Sequence, residues 1–213
     1  SGRVRPLGFL PEMPDCSLDS RHLGLVTAQE VSDLSDKVEK LSEQAKKTLD
    51  LAGILTLAED AETVISDQIV LPRFAKSIRL AVAKDQAFCF YYHDNIGAMR
   101  EMGAEIVPFS PLFDDRLPEN IHGLYLGGGY PELYAETLSG NIAMRNAVKT
   151  ALNAKLPCIA ECGGFMYLTE KIGDQPMVGY LRGACWNTGK LCRFGYVHLT
   201  AKKNNMLCGA GEG

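Results

Sequence analysis

The sequence predicts an α/β fold, a mostly parallel sheet with helices on both faces, behind an N-terminal helical segment of different character. Two observations carry this. From Ile78 onward, short apolar runs of strand length alternate with helical segments, the pattern of successive βαβ units. Two of those runs, Leu124 to Leu126 and Pro157 to Glu161, pass directly into glycine-rich turns followed by helical patterns. In sheets of this kind ligands collect beyond the carboxyl ends of the strands, so these two turns are where function is sought.

Taken in order, Arg3 to Leu25 is loop-rich, because Pro6, Pro11 and Pro14 interrupt any regular element. Thr27 to Glu30 has capping-box spacing and predicts a helix whose apolar stripe is Leu34, Val38, Leu41 and Ala45, a stripe that needs a partner surface. A second short helix starts at Asp50 and runs through Ile54, Leu55 and Leu57, and the polar stretch Glu59 to Gln68 reads as a linker. The domain boundary falls near residue 76, giving a first part over residues 1–66 and a second over 77–213. In the second part, strands are expected at Ile78 to Ala83, Glu105 to Phe109, Leu124 to Leu126 and Pro157 to Glu161. Helices are expected at Asn95 to Met102, Pro131 to Leu138 and Ile142 to Ala154. Past Met177 the pattern shortens to strands and turns, with an antiparallel extension through Arg193 to Thr200. No internal repeat or low-complexity tract is present.

Composition narrows the function. The chain has 213 residues, 46% hydrophobic and 23% charged, an ordinary globular balance that excludes disordered, collagen-like and coiled-coil classes. A formal charge of -4 gives no basic footprint for nucleic acid or an anionic membrane, and no apolar run approaches the roughly 18 residues of a membrane span. The seven cysteines form no CxxC pair or framework spacing, as expected of reduced thiols, and the N-terminus lacks a signal peptide pattern; a cytoplasmic location is expected.

The most informative segment is Pro157 to Leu168. A β-type run leads into Cys162, Gly163 and Gly164 follow at once, and a helical apolar pattern begins, the grammar of a nucleophile elbow. Glycines permit the sharp turn, a helix N-terminus favours the thiolate, and the Gly163 amide is placed to face an oxyanion. The bland alternative is a buried structural cysteine. A second segment, Leu124 to Glu132, sets Gly127, Gly128 and Gly129 at a strand's end before a helix with Pro131 early in it. Such a loop offers backbone amides to an anion, although alone it is equally a tight turn. Paired with the cysteine elbow, an oxyanion hole shared by the two loops is the better explanation. It is not a dinucleotide fingerprint, since Glu132 stands where the third glycine belongs.

Other chemistries fail on spacing. The only Gly-Lys pair, Gly189-Lys190, has Ala184 five residues upstream of Gly189 and Leu191 after the lysine, so the Walker pattern is not met. Cys185, Cys192, His198 and Cys208 match no zinc spacing, and no metal is expected. His22, His93, His122 and His198 are the imidazoles available as a base, with surface or capping roles the usual alternative. Trp186, Tyr91 and Tyr92 read as core or rim aromatics.

Three motifs together, Asp85 to Tyr92 (DQAFCFYY), Gly127 to Leu133 (GGGYPEL) and Ala160 to Leu168 (AECGGFMYL), resemble the cobyrinic acid a,c-diamide synthase family, in particular its C-terminal class I glutamine amidotransferase domain. The likeness covers most of residues 77–200, and Leu7 to Pro11 and Arg21 to Leu25 resemble the end of that family's ATP-dependent synthetase domain. The resemblance implies a flavodoxin-like fold, with residues 1–66 a synthetase remnant and linker, and a chain that is a fragment with its P-loop upstream. Ser1-Gly2 then reads as an expression scar. It implies glutamine as substrate, Cys162 as nucleophile, and Gly163 with Gly127, Gly128 and Gly129 as oxyanion and glutamine-binding residues; Asp85, Phe90, Tyr91, Tyr130 and Glu132 would line the site. It further implies cobyrinic acid or a related tetrapyrrole as acceptor, with ATP and Mg2+ needed by the full-length enzyme and no cofactor held by this part. A homodimer is a further expectation.

The family's histidine base belongs to a Gly-His-Glu-Phe-His-Tyr-type segment that would follow Cys208 to Gly213, and none of the four histidines matches it. The chain as given is therefore expected to be a weak or inactive glutaminase with an intact elbow. Competing readings are an a,c-diamide synthase acting on nickel-sirohydrochlorin, cobyric acid synthase, a redox-reactive cysteine domain, and a docking module built on the helix from Leu34 to Ala45.

Overall fold

A computed structural model describes residues 4–21, 24–26, 28–65, 70–190, 195–205 and 208–212. The chain separates into two compact units, Ser1–Gln68 and Ile69–Gly213.

In the first unit, a two-residue hairpin pairs β1 (Ser20–Arg21) with β2 (Gly24–Leu25), and two helices follow, α1 (Leu34–Thr48) and α2 (Leu51–Glu59). The helix expected from Thr27 begins six residues later. Thr27 itself lies outside the described residues, Ala28–Glu30 form one 3-10 turn, and the helix starts with Asp33 as N-cap. Ser32 and Asp33 are residues that start helices more readily than they continue them. The Asp33 carboxylate turns to Lys37 Nζ at 2.6 Å instead of capping an amide. Asp50 does cap α2, accepting from Gly53 N at 2.9 Å. The strip from Leu7 to Phe9 runs along the junction of the helices: Asp50 N donates to Leu7 O at 2.7 Å and Phe9 N to Thr48 O at 3.3 Å. Gly8, at φ +109°, permits the approach, since a Cβ there would lie 2.0 Å from Thr48 O.

The second unit is built on a four-stranded parallel sheet. Its strands are β3 (Ile78–Ala83), β4 (Ala104–Phe109), β5 (Gly123–Leu126) and β6 (Cys158–Ala160), in the spatial order β4-β3-β5-β6. The crossovers are α3 (His93–Glu101) between β3 and β4, and α4 (Ala135–Gly140) with α5 (Ile142–Asn153) between β5 and β6. A 3-10 turn at Pro131–Tyr134 leads into α4, with Pro131 at its first position, where a missing amide costs nothing. After β6 comes α6 (Gly163–Leu168), then a small sheet in which β7 (Lys171–Ile172) lies between β8 (Gln175–Pro176) and β9 (Ala184–Cys185). The β7–β8 pair is antiparallel and the β7–β9 pair parallel.

The core is apolar and continuous. Ala81 and Ala83 of β3 and Leu124 and Leu126 of β5 meet Leu138 of α4, Met144, Val148 and Leu152 of α5, and Tyr167 and Leu168 of α6. Alternation along β5 directs Leu124 and Leu126 into this cluster and Tyr125 to the other face.

The extension expected through Arg193 to Thr200 shows no strand among its described residues. Arg193 lies outside the described residues, and Gly195 to Thr200 have no sheet pairing among the described residues. Tyr196, Val197 and Leu199 stand exposed, while the chain beyond closes on itself through Ala201 N to Glu212 O and Gly211 N to Ala201 O, each 2.8 Å. Apolar alternation makes a strand only where an edge is within reach.

Candidate active site

The strand order reverses between β3 and β5, and three strand ends converge there: Ala83 of β3, Leu126 of β5 and Ala160 of β6. This is the topological switch point of an open parallel sheet, where a crevice forms.

Cys162 sits beyond the end of β6 with φ +50° and ψ −113°. A left-handed φ is costly for a residue with a side chain and persists only where neighbouring structure enforces it. Here the enforcement is visible. Gly164 N donates to Gly127 O and to Glu161 O, each at 2.9 Å, and Met166 N donates to Cys162 O at 3.1 Å, so the backbone is bonded on both sides of the cysteine. A Cβ on Gly164 would lie 2.1 Å from Leu126 O, and one on Gly163 would lie 2.8 Å from Pro131 Cδ. The glycines let α6 start hard against the end of β5. The result is an exposed thiol on a strained elbow.

The glycine loop packs alongside. A Cβ on Gly128 would stand 3.7 Å from Cys162 Cβ, and one on Gly163 would stand 3.2 Å from Gly129 N. Gly129 and Gly163 are buried, and neither amide donates to an acceptor among the described residues. Buried amides are almost always paired, so two adjacent ones left open beside a thiol are donors available to a ligand. Gly127 differs from the sequence expectation. Its amide is not bare, for it donates to Tyr91 Oη at 2.9 Å.

The other expected site residues divide by role. The Asp85 carboxylate is spent on backbone. Oδ1 accepts from Ala87 N and Phe88 N at 2.9 and 3.1 Å, and Oδ2 from Ser110 Oγ and Leu112 N at 2.8 and 2.9 Å. It fastens the loop after β3 to the loop after β4 rather than facing the thiol. Phe90 is partly exposed, bridges to Gly128 through Phe90 N to Gly128 O at 3.1 Å, and stacks edge-on with Tyr130 at 5.1 Å. Tyr130 is buried and supports the loop from behind. Glu132 is half-buried in the 3-10 turn after the loop.

Tyr91 and Tyr125 meet edge-on at 5.2 Å on the face of the sheet away from the main core. Tyr91 Oη donates to Ala83 O, and Tyr125 Oη donates to Glu161 Oε1. Burial pushes the Tyr125 hydroxyl up to about 12, aided by its bond to the Glu161 carboxylate, and pushes Tyr91 higher still; both stay protonated donors. Glu161 and Tyr125 were not marked by the sequence. A carboxylate one residue before the elbow is the one signal that points to them.

No histidine among the described residues hydrogen-bonds Cys162. His122 Nδ1 accepts from Arg79 N at 3.0 Å at the opposite, amino end of the sheet, and His93 and His198 are exposed; His22 lies outside the described residues. Among the described residues no group of three His, Cys, Asp or Glu side chains could hold a metal, and no helix is long and apolar enough to cross a membrane. Gly189 and Lys190 are exposed, and Gly189 N donates to Asn187 Oδ1 at 2.8 Å.

A flavodoxin-order parallel sheet with a cysteine elbow and a glycine loop at its switch point defines a glutamine amidotransferase fold. The chain belongs to the family described as the CobB/CobQ-like glutamine amidotransferase domain, whose model matches residues 79–205. Its curated relatives include proteins named cobyrinate a,c-diamide synthase from Clostridium acetobutylicum, 41% identical over 97% of this chain and 46% of that protein, and from Clostridium tetani, 41% identical over 98% and 47%. The protein of that name from Thermoplasma volcanium is 40% identical over 98% of this chain and 46% of its own length. The chain thus spans about half the length of the curated relatives it matches. No solved structure matches.

Proposed function

We propose that this domain hydrolyses glutamine and supplies the ammonia for amidating the a and c acetate side chains of cobyrinic acid. The Cys162 thiolate attacks the δ-carboxamide carbon of glutamine. The tetrahedral oxyanion that forms is held by the amides of Gly129 and Gly163. On collapse the C–N bond breaks, the nitrogen takes a proton and leaves as ammonia, and a glutamyl thioester remains. Water then adds to the thioester, the C–S bond breaks, and glutamate and the free thiol are released. The general base that carries these protons is not among the described histidines as they stand.

The observation that carries the reading is the strained, exposed Cys162 beside two open buried amides. The acceptor is inferred from the relatives' name, cobyrinate a,c-diamide synthase. Activation of its carboxylates by ATP with magnesium is proposed for the whole enzyme, on the resemblance to the a,c-diamide synthase family. The test is glutamate release by the intact enzyme to which this domain belongs. Cys162→Ala is expected to lower it by at least about 10³-fold; a variant retaining most of the activity would refute the assignment.

A further inference from the structure

We infer that Tyr91 is a positioning residue for glutamine hydrolysis, holding the glycine loop against the elbow so that the Gly129 amide faces the oxyanion; the inference rests on the proposed role of Cys162. Its hydroxyl has two bonds, each to the backbone at a strand end. It donates to Ala83 O at the end of β3 and accepts from Gly127 N at 2.9 Å at the end of β5. No backbone pair could close this gap, because the parallel ladder between β3 and β5 ends at Val82 and Tyr125, one register step short of Ala83 and two short of Gly127. The tyrosine hydroxyl takes up the ladder where the strands separate.

The loop is shaped to receive the ring. A Cβ on Gly127 would lie 2.4 Å from Tyr91 Cε1 and 2.8 Å from its Oη, so glycine at this position is required by the ring itself. The ring in turn rests edge-on against Tyr125, whose hydroxyl holds Glu161, the residue preceding Cys162. One contact chain therefore spans the ends of β3, β5 and β6, the three strands that present the loop and the elbow. Two residues beyond Gly127 lies the open amide of Gly129. Burial keeps the Tyr91 hydroxyl protonated at any working pH, so it donates to Ala83 O throughout. A shift of about 1 Å in an oxyanion donor costs about 100-fold in rate without weakening the ground-state grip on substrate.

The test is steady-state glutamine hydrolysis by the intact enzyme to which this domain belongs, carrying Tyr91→Phe, which keeps the ring and removes both bonds. The expected result is a fall in kcat of about 10- to 100-fold with KM for glutamine within about threefold of the parent. A kcat within twofold of the parent overturns the inference. Gly127→Ala disturbs the same contact from the loop side with every hydroxyl in place, and carries the test if Tyr91→Phe folds poorly. The same split is expected there, and unchanged kcat overturns the inference. If the two losses add fully in the double variant, the residues do not act through one contact and the inference also fails. Cys162→Ala in parallel separates the two readings: activity that survives it refutes the nucleophile, whereas loss with Cys162→Ala and none with Tyr91→Phe refutes the positioning role alone.

Discussion

Gly164 and Gly127 are joined backbone to backbone, the Gly164 amide donating to the Gly127 carbonyl at 2.9 Å, so the turn at Cys162 and the glycine loop form one bonded unit. The bond is short because neither residue carries a side chain into the seam: a Cβ at Gly164 would sit 2.1 Å from Leu126 O. Gly164→Ala is expected to push α6 off the end of β5, destabilising the fold by about 2 kcal/mol or more and removing glutaminase activity. Thermal unfolding of the variant checks the first effect and glutamate release the second.

Asp85 is expected to matter for stability more than for substrate. Its carboxylate accepts from three backbone amides and one hydroxyl across two loops. Asp85→Ala orphans those donors, at an expected cost of about 2–4 kcal/mol in denaturant unfolding. Asp85→Asn, which keeps one acceptor oxygen, is expected to lose part of that, with KM for glutamine unchanged in both variants.

Cys158 gives a pH signature. Burial pushes its thiol up to about 11, from an ordinary value near 9, because the thiolate is poorly solvated at the base of β6. A raised acid binds its proton more tightly in the folded state than in the unfolded one. Its contribution is therefore complete below about pH 9 and is lost as pH rises from there towards about 11. The fall in unfolding midpoint across that window is expected to be shallower in Cys158→Ala than in the parent. At pH 8 an alkylating reagent is expected to leave Cys158 unmodified.

Much of this architecture was legible in the sequence because each strand of the parallel sheet is a short apolar run closed by a turn residue. Ile78 to Ala83 is recovered end for end, and Leu124–Leu126 within one residue. The elbow was legible too, since only glycine can follow Cys162 where α6 abuts β5. The misses are tertiary. Thr27 to Glu30 carries a capping pattern, yet Asp33 starts the helix, and Tyr196 to Leu199 alternate correctly but have no edge to pair with among the described residues. Gly127 was read as an amide donor to ligand. Its amide is taken by Tyr91, a partner 36 residues away that no local pattern reveals. Asp85 likewise belongs to a motif near the site while its carboxylate serves two loops.

Gly129 carries one of the two open amides beside the thiol. A Cβ there would meet Ala87 O at 2.0 Å, so Gly129→Ala displaces the loop and its open amide together. A fall of at least about 100-fold in kcat is expected, checked by glutamate release alongside far-ultraviolet circular dichroism to confirm that the sheet persists.

The proposed mechanism requires Cys162, alone among the thiols, to be the nucleophile that meets glutamine. Peptide-mapped mass spectrometry after exposure to an electrophilic glutamine analogue, a diazo-oxo-norleucine, tests it most directly. A single adduct on Cys162 that excess glutamine suppresses is expected. Adducts spread across several of the seven cysteines, or labelling of Cys162 that glutamine does not slow, would contradict it.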